Sequence, residues 1–262
     1  MYSIGLALSL IIGIVLGLVG GGGSILTVPL VNYFFDVNML IATTYSLVVV
    51  AIASSFGVLQ RLKLKQIDFK KGMVFVLPSM FVAFTIRKWI MPMFPITFQF
   101  SDFALSRDIV ITVLLIAVMV YTGSKTLIAK ERPIDTSKTN VIAILLFGIL
   151  TGGLSGFIGA GGGFIIVPIL LRLGLDMKKA VGTSMFIISI QSGVALIGDS
   201  FNEEITSGGI NWGLLFALTA FTVAGVYLGG VFQKNISGNF LRKVFSWILL
   251  IVAAGLTVKM TI

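Results

Sequence analysis

The chain has 262 residues, 57% of them hydrophobic and only 11% charged, with a mean hydropathy of +1.08; soluble domains carry about 25% charged residues, so the composition excludes a soluble domain and indicates an integral membrane protein. The net charge of +9 is confined to short connections between apolar segments, where it suits loops facing anionic lipid rather than a nucleic-acid surface. Without cysteine or histidine, the chain has no disulfide, no thiol catalyst and none of the commonest metal ligands, and neither a metal nor a cofactor is expected.

The apolar runs show no strict alternation, so they read as helices rather than barrel strands. Ten segments follow in order, near 2–19, 24–35, 39–60, 72–91, 107–128, 140–157, 163–174, 180–199, 209–232 and 240–261. Eight are about 18–24 residues long, enough to cross about 30 Å of hydrocarbon at about 1.5 Å per residue. The second and seventh, at about 12 residues, are too short to span alone. The first has no basic residues ahead of it and no small-residue cleavage site, so a cleaved signal peptide is not expected.

Loop charges set an orientation. Arg61, Lys63, Lys65, Lys70 and Lys71 follow segment three, and Lys125, Lys130, Arg132 and Lys138 follow segment five. Arg172, Lys178 and Lys179 follow segment seven, and Lys234, Arg242 and Lys243 follow segment nine. All four connections should be cytoplasmic. Asp36, after segment two, and Asp199, Glu203 and Glu204, after segment eight, have no basic neighbour in their loops and should be external and solvated. Arg87 and Lys88, beside Trp89, break the rule at the outer end of segment four; both are expected to snorkel to the interface. The topology is an external N-terminus, a first repeat over residues 1–128, a cytoplasmic linker over 129–139, a second repeat over 140–262 and an external C-terminus. Five segments per half force the second half to be inverted relative to the first.

The halves also align. Gly17-Leu18-Val19-Gly20-Gly21-Gly22-Gly23-Ser24-Ile25-Leu26-Thr27-Val28-Pro29-Leu30 matches Gly156-Phe157-Ile158-Gly159-Ala160-Gly161-Gly162-Gly163-Phe164-Ile165-Ile166-Val167-Pro168-Ile169. Ala42-Thr43-Thr44-Tyr45-Ser46-Leu47 falls over Ala180-Val181-Gly182-Thr183-Ser184-Met185, and Gln66-Ile67-Asp68-Phe69 over Gly209-Ile210-Asn211-Trp212. The glycine stretch with its Val-Pro pair, and the Ala-x-Gly-Thr-Ser pattern at 180–184, resemble the TauE/SafE sulfite exporter family, also called TSUP, over the whole chain. The resemblance implies a fold of two inverted helical repeats and movement of a small anion such as sulfite or sulfoacetate across a prokaryotic plasma membrane. The first half departs from the pattern, with Tyr45 where the second has Thr183.

Independently of that resemblance, a glycine run between a long and a short apolar segment is a broken helix. Irregular backbone in lipid is tolerated only where it is buried in protein or lines a cavity, so both runs should face inward and meet near the bilayer midplane. Glycine admits close approach to backbone amides, and the N-terminus of the following short helix carries about half a positive charge, a geometry suited to an anion. The candidate substrate-binding residues are Gly20, Gly21, Gly22, Gly23, Ser24, Thr27, Tyr45 and Ser46 in the first half and Gly159, Gly161, Gly162, Gly163, Thr183, Ser184, Gln191 and Ser192 in the second. Other glycines, Gly13 with Gly17, Gly152 with Gly156 and Gly225 with Gly229, have the spacing of tight helix packing. No Gly-Lys-Ser/Thr follows either run, which excludes a P-loop.

The apolar segments hold almost no ionisable residue away from their ends, so nothing in the residues points to proton coupling, and a coupling ion stays unidentified. The reading is an all-α polytopic protein with a glycine-broken short helix in each inverted repeat, acting as a secondary transporter of a small anion by alternating access. Its partners are the anion and the bilayer, without nucleic acid. A passive anion channel of the same fold is the alternative within transport. A membrane-embedded enzyme is disfavoured by the lack of histidine, cysteine, paired intramembrane carboxylates and a full G-x-S-x-G, which Gly153-Leu154-Ser155-Gly156 matches only in part.

Overall fold

The computed structural model describes residues 2–21, 23–94, 97–100, 103–128, 141–207, 209–233 and 236–261. The expected linker at 129–139 and Gly22 lie outside the described residues. The chain forms α1 (Tyr2–Val19), α2 (Ser24–Phe35), α3 (Met39–Lys63) and α4 (Phe69–Thr85), which runs through a π-helical turn (Ile86–Ile90) into the single turn α5 (Met91–Met93). Strands β1 (Thr97–Phe100) and β2 (Phe103–Ser106) precede α6 (Arg107–Ile128). Helices α7 (Val141–Ile158), α8 (Gly163–Arg172), α9 (Met177–Asp199), α10 (Glu203–Ser207), α11 (Trp212–Phe232) and α12 (Gly238–Thr261) complete it.

Each of the ten expected segments is a helix, and among the described residues seven helices are long and apolar enough to cross a membrane. The all-α class holds, with one short element outside the helices: β1 and β2 pair antiparallel, with Thr97 opposite Ser106 and Phe100 opposite Phe103. The Thr97-Phe98-Gln99-Phe100 run is rich in β-formers. Hydropathy, which tracks only the apolar average, passes over it.

Several helices begin at a polar cap that a hydropathy window cannot see. Asn38, Asp68, Asp176 and Asn211 accept hydrogen bonds from the amides of Leu40, Lys71, Lys179 and Leu214, each satisfying a donor that the first helical turn leaves unpaired. These caps start α4 and α9 three residues before the apolar runs at 72 and 180, and start α11 three residues after 209.

The packing centres on α3 and α9, which lie antiparallel, because Thr44 near the start of α3 reaches Asp199 at the end of α9. Around them α1 lies along α11 and α4 along α7; α4 also packs on α9, α11 on α3, and α6 on α12. Glycine permits the closest of these contacts. A Cβ on Gly17 would stand 2.5 Å from the Val226 carbonyl oxygen and 3.1 Å from Gly229 Cα, and one on Gly156 would stand 2.9 Å from Ile86 Cβ. Backbones therefore touch across α1–α11, as the glycine spacing predicts. Outward faces carry Trp212, Phe216, Tyr227, Trp247 and Ile251, all exposed, as a surface facing hydrocarbon should be.

One end of the bundle holds Asp36, Asp199 and Glu204, and the other holds Arg61, Lys63, Lys65 and Lys71. We call them the acidic and basic ends.

Candidate functional site

Both glycine runs reverse the chain. Gly20 N donates to Leu16 O and Gly159 N to Ser155 O, each at 2.8 Å, closing α1 and α7 in the same way. Gly20 (φ 72°) and Gly21 (φ 117°) then take left-handed backbone, as do Gly159 (71°), Gly161 (64°) and Gly162 (66°), a region that side chains make costly. Past the first turn, α2 runs back along α1, with the Phe35 ring 5.2 Å from that of Tyr2. Past the second, α8 returns to the basic end, where Lys71 Nζ donates to Leu173 O.

The two turns meet. A Cβ on Gly21 would stand 2.6 Å from Gly163 Cα, with Ile188 of α9 pressed against the same point. Gly20 packs on Val181 and Gly159 on Thr43, two residues that the sequence alignment had already placed opposite one another. The expectation that both turns face inward agrees with the burial of Gly20, Gly21, Gly23, Gly159, Gly161 and Gly163.

Polar groups divide unevenly between the turns. In the first, Ser24 Oγ donates to Gly21 O at 2.6 Å and Ser46 Oγ to Ser24 O at 3.5 Å, so both hydroxyls serve the turn itself. Ser184 Oγ donates to Gly20 O and to Val181 O. Thr27 is buried, and its Oγ1 has no partner among the described residues.

At the second turn, Gln191 Nε2, Ser192 Oγ and Ser155 Oγ are all buried without a hydrogen-bond partner among the described residues. A Cβ on Gly161 would stand 3.0 Å from Ser192 Oγ, and one on Gly162 would stand 3.5 Å from Gln191 Nε2 and from Ser155 Cβ. Ser79 Oγ donates to Gln191 Oε1. With its carbonyl occupied, the amide presents its donor side, Nε2, towards Gly162.

The first half differs at two of these three positions, since Ala53 stands where Gln191 does and Leu16 where Ser155 does, while Ser54, the counterpart of Ser192, is likewise buried with its Oγ unpartnered among the described residues. The first turn is also tighter. A Cβ on Gly23, the counterpart of Gly162, would stand 2.5 Å from Ile12 O and 2.8 Å from Leu16 N.

Tyr45 and Thr183 do not join this cluster. Tyr45 Oη accepts from Asn211 N at 2.6 Å and donates to Asn211 O at 3.3 Å. Thr183 Oγ1 accepts from Asp68 N at 2.9 Å. These aligned residues thus hold aligned partners, the caps of α11 and α4, at opposite ends of the bundle. Tyr45 also lines a cleft of about 360 Å³ at the acidic end with Tyr2, Phe35, Asp36, Asn38 and Gly209.

Two expectations about charge are overturned. Arg87 does not snorkel and Asp199 is not solvated: they are 0% and 1% exposed and form an ion pair, Arg87 Nη1 to Asp199 Oδ1, at 3.2 Å. Thr44 Oγ1 donates to Asp199 Oδ2 at 2.8 Å. Of the Arg87–Lys88 pair only Lys88 behaves as expected, with Nζ 4.2 Å from the Phe201 ring and 5.0 Å from that of Trp89, while Asp36 and Glu203 are exposed as expected. The interior is not free of charge at the basic end either. Buried Arg61 donates to Gln233 Oε1 at 2.6 Å, Gln66 Oε1 at 3.3 Å, Gly17 O at 2.5 Å and Met185 Sδ at 3.3 Å. Sequence reasoning missed Ser79 and Ser155 beside Gln191, and the burial of Arg61, Arg87 and Asp199. For Ser155 and Gln191 a signal existed in the alignment, as polar residues opposite Leu16 and Ala53. Among the described residues no group of three or more carboxylates is placed to hold a metal.

Comparison with known proteins agrees on the kind of protein. A sequence model of the family described as sulfite exporter TauE/SafE matches residues 5–256. The chain is similar to a probable membrane transporter protein, YunE, of Bacillus subtilis, 28% identical over 94% of this chain and 92% of the relative. It is also similar to a probable membrane transporter protein of Methanocaldococcus jannaschii, 29% identical over 93% of this chain and 92% of the relative. A sulfite exporter TauE/SafE family protein 3 of Arabidopsis thaliana is 31% identical over 31% of this chain and 17% of its own length. No solved structure matches.

Proposed function

Because the chain belongs to the sulfite exporter TauE/SafE family and is a multi-pass membrane protein with seven apolar helices of spanning length among its described residues, we propose that it is a secondary transporter of a small anion. Sulfite, a sulfonate, or a related organosulfur or carboxylate anion crosses the prokaryotic plasma membrane by alternating access of two inverted halves. The anion is held at the second glycine turn. The substrate class follows the name of the family.

The observation that carries the site is the set of unpartnered buried groups around Gly161 and Gly162. Leaving a polar group buried and unpaired costs about 1–3 kcal/mol, and three occur together here: Gln191 Nε2, Ser192 Oγ and Ser155 Oγ. A ligand that accepts hydrogen bonds removes that cost. Gln191 Nε2 can only donate, and the two hydroxyls can donate. The start of α8 adds unpaired amides and the positive end of its dipole. The ligand this set suits is an anion with several oxygens. The first turn, closed against Ile12 and Leu16, contributes Gly21 as a wall through its contact with Gly163.

Two-fold pairing supports the inverted halves. Exchanging α1 with α7, α2 with α8, α3 with α9, α4 with α11 and α6 with α12 maps the main helix packings onto one another: α1–α11 becomes α7–α4, α4–α9 becomes α11–α3, and α3–α9 and α6–α12 return to themselves.

The test is transport and binding by purified protein in proteoliposomes. Counterflow of labelled sulfite, or of a sulfonate or carboxylate from the same panel, is expected from the wild type; flux without counterflow would instead indicate a channel. Gln191→Leu, which removes a hydrogen bond to a charged ligand worth about 1.5–3 kcal/mol, should weaken binding about 10–100-fold. Unchanged affinity in a folded Gln191→Leu protein would place the anion elsewhere.

A further inference from the structure

A guanidinium buried within a spanning helix is costly and is retained where it has a partner or a task. Arg87 has a partner, but the pairing uses only part of the group. Nη1 makes both contacts with Asp199, at 3.2 Å and 3.4 Å, while Nε and Nη2 are buried and unpartnered among the described residues. Arg107 makes the contrast within the same chain: its Nε is also buried and unpartnered among the described residues, but it engages Glu204 with both terminal nitrogens, Nη1 at 3.0 Å and Nη2 at 2.5 Å. Arg61 has partners on Nε, Nη1 and Nη2.

The unused nitrogens of Arg87 form one edge of the guanidinium plane, the edge that matches two oxygens of an oxyanion. That edge lies against the second glycine turn, where a Cβ on Gly159 would stand 2.7 Å from Arg87 Nη2. Gly198 makes room on the other side, since a Cβ there would stand 2.8 Å from Arg87 Cβ. Arg87 also sits in the π-helical turn of α4, a distortion found often at functional sites.

We propose that the Nε and Nη2 edge of Arg87 is an oxyanion subsite on the path of the anion between the acidic end and Gly162. Asp199, steadied by Thr44, holds the guanidinium in place through Nη1 and leaves the other edge free. This rests on the transporter reading and names the residue that recognises the charge of the substrate.

Sulfite binding to purified protein in nanodiscs tests it, read as a dissociation constant and as a thermal shift. The double variant Arg87→Gln/Asp199→Asn removes both charges together, so no lone buried charge is left to unfold the protein. It should bind sulfite at least about ten-fold more weakly, from the loss of charge-assisted hydrogen bonds. Asp199→Asn alone leaves Arg87 without its counter-charge and should bind sulfite more tightly, with a larger thermal shift than the wild type. A purely structural ion pair would not move affinity in these opposite directions.

Unchanged sulfite affinity in the folded double variant, with Gln191→Leu still weakening binding, overturns the Arg87 subsite and leaves the Gly162 site standing. A wild type that binds none of sulfite, thiosulfate, methanesulfonate and acetate overturns both.

Discussion

At the scale of single residues, the glycine turns combine two requirements that no other side chain meets. Gly21 needs φ 117°, and a Cβ there would stand 2.6 Å from Gly163 Cα. Gly21→Ala therefore meets backbone strain of about 1–3 kcal/mol as well as a steric overlap that relaxes only by separating the turns. The expected outcome is a lower midpoint of thermal unfolding in detergent. Gly193, where an added Cβ meets nothing within 4 Å, is the control: Gly193→Ala should leave the midpoint unchanged or raise it. An unchanged midpoint in Gly21→Ala would mean that the turns are not in contact in the folded protein.

At the scale of elements, Tyr45 and Thr183 show how one sequence position can be put to the same structural use in both halves with different chemistry. Each hydroxyl binds the backbone of the residue that caps a helix in the other half of the chain, Asn211 for α11 and Asp68 for α4. The alignment put these four residues in register, but it could not reveal that they touch, because each pair is more than a hundred positions apart in the chain. Thr183→Val leaves the Asp68 amide without its partner, a loss of about 1–3 kcal/mol. Hydrogen exchange across the start of α4 should accelerate while the start of α11 is unaffected, and Tyr45→Phe should do the reverse. Equal protection of both helix starts in both variants would rule out this role.

At the scale of the whole molecule, ion pairs join the two halves at the acidic end, Arg87 with Asp199 and Arg107 with Glu204, while Arg61 and Gln233 do so at the basic end, where Gln233 Nε2 also donates to Leu18 O at 2.8 Å. Alternating access would require these two sets of contacts to open in turn. The proposed orientation, acidic end outside, can be read directly because the native chain has no cysteine. Ser200→Cys, exposed just past Asp199, should react with a membrane-impermeant maleimide in intact cells. Leu64→Cys, exposed beyond α3, should react only after permeabilisation. The opposite labelling pattern would invert the topology.

The sequence by itself determined the membrane class, the ten helical segments and the close packing at Gly13, Gly17, Gly225 and Gly229. These are carried by local composition and short spacings, which act within a few residues. Tertiary structure alone decided which polar groups are left unpaired and which charges are buried. In sequence, Arg87 and Lys88 are neighbours near a segment end, equally suited to snorkelling. Once α4 is wound, they point to different surroundings, and the pairing of Arg87 with Asp199 spans 112 positions. Hydropathy averages along the chain; the cost of burying a charge or a donor depends on what stands opposite it across the bundle.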